Sequence, residues 1–268
     1  MKLIDSHCHL DFPDFADDIA GVLERAGANG VTRLITISTR VRRFPALLAL
    51  AERHPGVFCS VGTHPHNAGE EDGITAADIA ALADHPKVVA IGEAGLDYHY
   101  DKAPREAQAR GFRAHIAAAR VTGLPLVIHA RNADNDVASI LEDEYARGAF
   151  TAVLHCFSSG ADLARRGLAL GLYLSFSGIL TFKNTDELRM IAREAPAERL
   201  LVETDAPYLA PGKYRGKRNE PAYVVETAKV LAELRGISLE ALAATTSRNT
   251  ERLFSKLTTS ELTSVAAA

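Results

Sequence analysis

One pattern constrains the fold more than any other. Short apolar runs and stretches of helical periodicity alternate eight times along the chain. The runs begin at Leu3, Val31, Val57, Val88, Pro125, Ala152, Tyr173 and Leu200, and each is four to seven residues long. They are largely continuous apolar runs rather than alternating ones, as in parallel strands covered on both faces. Between them, residues 15–29, 41–53, around 79–83, 105–122, 133–145, 161–170, 186–194 and 224–235 carry helical patterns. Eight strand–helix units predict an α/β protein of the (β/α)8 TIM-barrel class. An open doubly wound sheet is the alternative, but it usually needs fewer strands, and no G-x-G-x-x-G loop follows the first strand here. No linker or composition break divides the chain. Residues 1–256 are therefore expected to form one barrel domain, with one or two covering helices over 238–254 and a frayed tail at 257–268.

In such barrels the chemistry sits at the C-terminal ends of the strands. The residues expected there are His7 and His9 after the first strand, His64 and His66 after the third, and Glu93 after the fourth. His129, His155 and Asp205 follow the fifth, sixth and eighth. Along a strand His7 and His9 point the same way and Cys8 points opposite. A lone His-x-His pair is a common surface motif, so the convergence carries the argument: six of ten histidines fall at strand ends. His54 and His85 precede prolines, His115 lies mid-helix and His99 in a loop, and those four are expected to be structural or exposed.

Imidazoles with carboxylates are ligands for divalent metals. Six donors exceed one tetrahedral zinc and suit two ions that share a bridging carboxylate. Glu93 is the expected bridge, with His7, His9 and Asp205 on one ion and His129 and His155 on the other. The mixed donor set fits Zn, Mn, Ni or Co better than Mg, which stays among the candidates. Cys8 and Cys156 flank ligands and face away from them, as small core residues.

The net charge is −4, which argues against general electrostatic capture of nucleic acid, so attraction to a polyanion would have to be local. No apolar run approaches the ~20 residues of a membrane span. Asp5 and Asp11 stand where a signal peptide would need an apolar segment. Three cysteines make no disulfide framework, and a reducing cytoplasmic setting is expected. A soluble monomer is the default.

The chain resembles the TatD family of metal-dependent deoxyribonucleases, within the amidohydrolase-like barrel superfamily. The motifs that carry the resemblance are Asp5-Ser6-His7-Cys8-His9-Leu10-Asp11, Gly62-Thr63-His64-Pro65-His66, Ile91-Gly92-Glu93-Ala94-Gly95-Leu96-Asp97-Tyr98, Leu126-Val127-Ile128-His129-Ala130-Arg131, His155-Cys156-Phe157-Ser158, Ser175-Phe176-Ser177-Gly178 and Leu201-Val202-Glu203-Thr204-Asp205-Ala206-Pro207-Tyr208. Two departures are visible. Thr63 stands where the family often has an aliphatic residue, and Ser159 separates Ser158 from Gly160. The resemblance implies a two-metal hydrolase that cleaves DNA, single-stranded or at duplex ends, often from the 3′ end. It implies the same six metal ligands, with His64 close to the scissile phosphate. In that mechanism Asp205 orients and deprotonates a water, Glu93 holds the metals, and His64 and Arg131 offset phosphoryl charge. Arg131 shares the direction of His129, though a salt-bridge role competes. Tyr98 is expected to pack in its loop rather than stack on a base.

Two rivals stand beside this reading. One is another two-metal barrel hydrolase acting on a small phosphoester, amide or lactone. Several such relatives bridge their metals with a modified lysine, a position taken here by Glu93. The other is a metal-binding structural or quality-control protein, against which the complete ligand set speaks.

Overall fold

The computed structural model of the chain describes residues 1–257. Its strands are β1 (Leu3–Cys8), β2 (Val31–Thr36), β3 (Val57–Val61), β4 (Val88–Asp97), β5 (Leu126–Arg131), β6 (Ala152–Leu154), β7 (Tyr173–Phe176) and β8 (Leu200–Val202). Its α-helices are α1 (Ile19–Ala28), α2 (Phe44–Arg53), α3 (Ala76–Leu82), α4 (Arg105–Thr122), α5 (Asp134–Arg147), α6 (Ala161–Ala169), α7 (Asp186–Glu194), α8 (Val224–Arg235) and α9 (Leu239–Leu253). The strands run in sequence order through one eight-stranded sheet. With a helix after each strand, this is the (β/α)8 order that the alternation predicts.

Local chemistry explains the element boundaries. Helix α4 buries Phe112, His115, Ile116 and Ala119, which share one face at three- and four-residue spacing. It ends at Gly123, which takes the left-handed conformation (φ 70°) and returns its N–H to Ala119 O at 2.9 Å. Helix α3 opens on a reciprocal cap between Thr75 and Asp78. Strands β3 and β4 are buried at every residue.

The chain divides into two compact units, Met1–Thr36 with Leu154–Thr250, and Ile37–Val153 with the described residues from Glu251 on. In the first unit, β1 pairs in parallel with β2 and β7 with β8. The last strand returns to the first there: Asp205 N–H donates to His7 O at 2.9 Å and His9 N–H to Ala206 O at 2.8 Å. In the second unit, β3 pairs in parallel with β4 and β4 with β5.

Several boundaries differ from expectation. Residues 13–15 form a 3-10 turn, and α1 begins only at Ile19. Strand β4 runs past Glu93 to Asp97. Residues 239–253 form one helix, within the expectation of one or two. Leu257 is buried rather than frayed, and the rest of the expected tail, 258–268, lies outside the described residues. Among the described residues no helix is long and apolar enough to cross a membrane.

Candidate metal centre

The first unit gathers His7, His9 and Asp205 so that one donor atom from each lies within 4.8 Å of the others. Nε2 of His7 and Nε2 of His9 are 3.2 Å apart, and Asp205 Oδ1 stands 3.6 Å and 3.4 Å from them. Cys8 points away, its thiol against Ile35 O in the core. His155 stacks flat on His7, with ring centroids 3.9 Å apart and 9° between planes. Its Nδ1 faces the buried carboxylate of Glu203 at 3.3 Å, which also accepts the Cys156 N–H at 2.8 Å. Burial pushes the Glu203 carboxyl up, against the pull of His155.

What holds Asp205 in place is Asp5. Its carboxylate accepts the Thr204 N–H at 2.9 Å and the Thr204 hydroxyl at 2.6 Å, and it takes the His7 N–H at 3.3 Å. One buried carboxylate thus ties the backbone of β1's ligand pair to the backbone preceding Asp205. Asp205 itself adopts φ 57°, a left-handed conformation that Asp tolerates better than most residues. That turn, rather than continued strand geometry, aims its side chain at the histidines.

The second unit gathers His64, Glu93 and His129 on the same criterion. His64 Nε2 lies 3.9 Å from Glu93 Oε1, and His129 Nδ1 lies 3.8 Å from Glu93 Oε2. The other nitrogens of both rings are engaged. His64 Nδ1 accepts the His66 N–H at 3.0 Å, and His129 Nε2 faces Asp97 Oδ2 at 3.0 Å. His66 Nε2 shares that same oxygen at 2.8 Å. The second oxygen of Asp97 accepts the N–H groups of His99 and Tyr100 at 3.0 and 2.9 Å. Burial alone would raise the Asp97 carboxyl, but the bond from His129 and these N–H groups hold it well below the carboxylate range. Burial lowers His66 despite Asp97, which keeps that ring neutral.

Gly95 makes this arrangement possible. It pairs with His129 in the β4–β5 register, and a Cβ there would collide with the His129 carbonyl oxygen. Only glycine lets β4 continue past Glu93 closely enough to bring Asp97 onto the His129 ring.

The donors fit a divalent metal in kind and spacing. Imidazole nitrogens bound at ~2.0–2.1 Å stand roughly 3 Å apart around one ion, as the His7 and His9 nitrogens do. His129 and His155 each have one ring nitrogen on a carboxylate, the outer contact that orients metal-binding histidines.

A sequence profile of the family described as TatD related DNase matches residues 4–255. The chain belongs to the TatD family. It is 40% identical over 252 residues to the metal-dependent hydrolase YabD of Bacillus subtilis, covering 94% of this chain and 98% of that protein. It is 38% identical over 259 residues to the 3'-5' ssDNA/RNA exonuclease TatD of Erwinia tasmaniensis, covering 94% and 99%. Among solved structures, YJJV, a TatD homologue from Escherichia coli K12, superposes with a TM-score of 0.88 at 30% identity, over 94% of this chain and 98% of that one. This TatD-family chain is accordingly a metal-dependent hydrolase with a (β/α)8 barrel fold.

The eight strand-end residues are legible in the sequence, but most of their supports are not. Asp97 carried a usable signal, because it shares its strand face with Glu93 at an even spacing. His66, expected only at a strand end, shares Asp97 with His129. Asp5 and Glu203 carried no local signal. Arg131, expected near phosphate, lies exposed at the end of β5 with its guanidinium 4.7 Å from the Tyr100 ring centroid. Tyr98 packs as expected, under Arg105 and bonded to Asp136 at 2.8 Å. His115, expected to be structural, is buried, its Nε2 accepting the Thr63 N–H at 2.9 Å.

Proposed function

We propose that this protein hydrolyses phosphodiester bonds in DNA, as a 3′–5′ exonuclease on single strands or duplex ends. Two divalent ions would be held by His7, His9, Glu93, His129, His155 and Asp205, with Glu93 as the shared ligand, in one catalytic domain spanning residues 1–256. The observation that carries the reading is the pair of histidine–carboxylate clusters, one with Asp205 and one with Glu93, in a family described as TatD related DNase. The Erwinia relative's name supports the nucleic-acid substrate and the polarity.

Bound divalent ions supply Lewis-acid polarisation of a phosphoryl oxygen and a more acidic water. The protein's own residues do the rest. Asp205 orients the attacking water and takes its proton, a role suited to a carboxylate held by backbone bonds beside two imidazoles. His64 and Arg131 contact the phosphoryl oxygens and offset charge as the bond breaks. Cys8, Cys59 and Cys156 form no disulfide among the described residues, and the proposed setting is a reducing cytoplasm.

The test is turnover by purified protein on end-labelled single-stranded DNA and on a chromogenic phosphodiester, with chelator and with Mg, Mn, Zn, Ni and Co restored in turn. Metal-restored shortening from the 3′ end, lost in Asp205→Asn and Glu93→Ala with the fold retained, is expected. Cleavage of the small ester alone would transfer the mechanism to a small substrate. Undiminished DNA cleavage by a folded Asp205→Asn protein would overturn the reading.

A further inference from the structure

We propose that the loop from Tyr208 to Arg218 is a binding arm for phosphates that flank the reacting one along a single nucleic-acid strand. This rests on the nucleic-acid reading above and adds that the substrate is held over more than one phosphate.

The first observation is charge. The chain carries a net −4, yet residues 206–219 hold Lys213, Arg215, Lys217 and Arg218 with no acid among them. Two of the four are committed. Lys213 pairs with Glu226 at 3.0 Å, and Arg218 donates to Asp14 O at 2.6 Å and lies 3.6 Å from Asp18 and Glu220. Arg215 lies over the Phe182 ring at 4.0 Å, and neither it nor Lys217 forms an ion pair among the described residues. Lys183, exposed and next to Phe182 in sequence, adds a third cation.

The second observation is how the loop is mounted. It leaves the chain just after Asp205 and returns at Asn219, which is wholly buried. The Asn219 amide donates to Thr204 O at 2.9 Å and to Tyr208 O at 2.6 Å, and its N–H donates to Pro207 O at 3.0 Å. Both ends are therefore clamped to the segment that carries a proposed metal ligand. Along its length the loop is pinned again. Gly212 N–H donates to the Thr181 hydroxyl at 2.7 Å, and Leu209 O occupies the space where a Cβ on Gly178 would stand. Lys213 and Arg218 are offset by the protein's own acids, whereas Arg215 and Lys217 are not, so a bound anion would offset their charge. Preorganised cations lose little entropy on binding.

The third observation is aromatic. Tyr208, at the loop's start, is 55% exposed and meets Phe12 edge-on at 6.1 Å. Phe12 in turn stacks on His9 at 4.6 Å. An exposed ring on the same loop as cations without an acidic partner is the combination that single-strand binders use, bases on the ring and phosphates on the cations.

The experiment measures binding of a fluorescein-labelled, phosphorothioate-linked oligothymidylate by anisotropy, across a salt series, with the full-length protein. The Arg215→Ala/Lys217→Ala double variant should bind about tenfold more weakly near 100 mM salt, and its slope of log Kd against log salt should fall by about 1.4, two phosphates at ~0.7 each. Tyr208→Ala should weaken binding without changing that slope. Both variants alter exposed side chains, and their melting curves should overlay that of the wild type. In turnover, the double variant should raise KM on the oligonucleotide at least fivefold more than on a small chromogenic diester. An unchanged salt slope, or equal losses on the two substrates, overturns the arm. If the wild type binds the strand with the predicted slope but cleaves no DNA, the proposed function fails and the arm stands. If it cleaves DNA and the double variant keeps the slope, the arm fails and the function stands.

Discussion

Asp97 Oδ2 lies 3.0 Å from Nε2 of His129, on the opposite side of the ring from the nitrogen that faces Glu93. An ionised carboxylate there accepts a hydrogen bond from Nε2–H, which keeps the proton on Nε2 and leaves the Nδ1 lone pair directed toward Glu93 and any ion beside it. Asp97→Asn should therefore weaken metal binding about 10- to 100-fold while leaving the barrel folded. Titration of metal-stripped protein with Zn or Mn against a competing chelator checks this, and equal affinities would show that Asp97 does not orient the ring.

The Thr63 hydroxyl donates to the buried carboxylate of Glu71. Glu71 also accepts the N–H groups of Val41 and Arg42, both at 2.9 Å. Thr63→Val keeps the shape and removes one donor from a buried acid. It should cost about 1–2 kcal/mol, read as a melting temperature lower by a few degrees. An unshifted melt would mean that Glu71 is satisfied without it.

His115 is buried, with Nδ1 on Gly111 O at 2.7 Å and Nε2 accepting from Thr63. Burial lowers it from 6.5 to about 4. A histidine depressed in the folded state stays neutral there while the unfolded chain takes up a proton, so stability is full above about 6.5 and falls as pH drops toward 4. Between pH 7 and pH 5 this one residue should remove about 2 kcal/mol. Urea unfolding of wild type and His115→Gln at both pH values tests it. The variant's loss over that interval should be smaller by that amount, and parallel losses would exclude His115 as the source.

Helices α4 and α5 meet at Glu144. Its carboxylate takes Arg113 at 2.5 Å, Arg147 at 3.2 Å and Arg120 at its other oxygen. Glu144 is buried, Arg113 and Arg120 are partly so, and Arg147 is exposed. Glu144→Ala should cost about 1–3 kcal/mol in denaturant unfolding, because three guanidinium groups lose one shared partner. Asp162→Ala, which breaks the pairs of an exposed carboxylate with Arg165 and Arg166, should change stability by less than about 1 kcal/mol.

Much of this protein is written locally. The eight-fold alternation of apolar runs and helical periods specified the element order, because both periods are properties of a few consecutive residues. His7 and His9 were placed side by side for the same reason, since residues two apart on a strand share a face. Helix α4 ended where Gly123 could turn left-handed. What the sequence by itself left open was the support behind the ligands. Asp5 meets Thr204 across 199 residues, and Glu203 meets His155 across 48. Strand β4 was expected to stop at Glu93, and it continues to Asp97 because Gly95 admits the carbonyl of His129 from the neighbouring strand. Those contacts depend on strand register and on how closely two backbones approach, and neither is a property of any short stretch of sequence. The pattern of residues determined which side chains reach the strand ends; the tertiary structure decided which carboxylate orients each histidine.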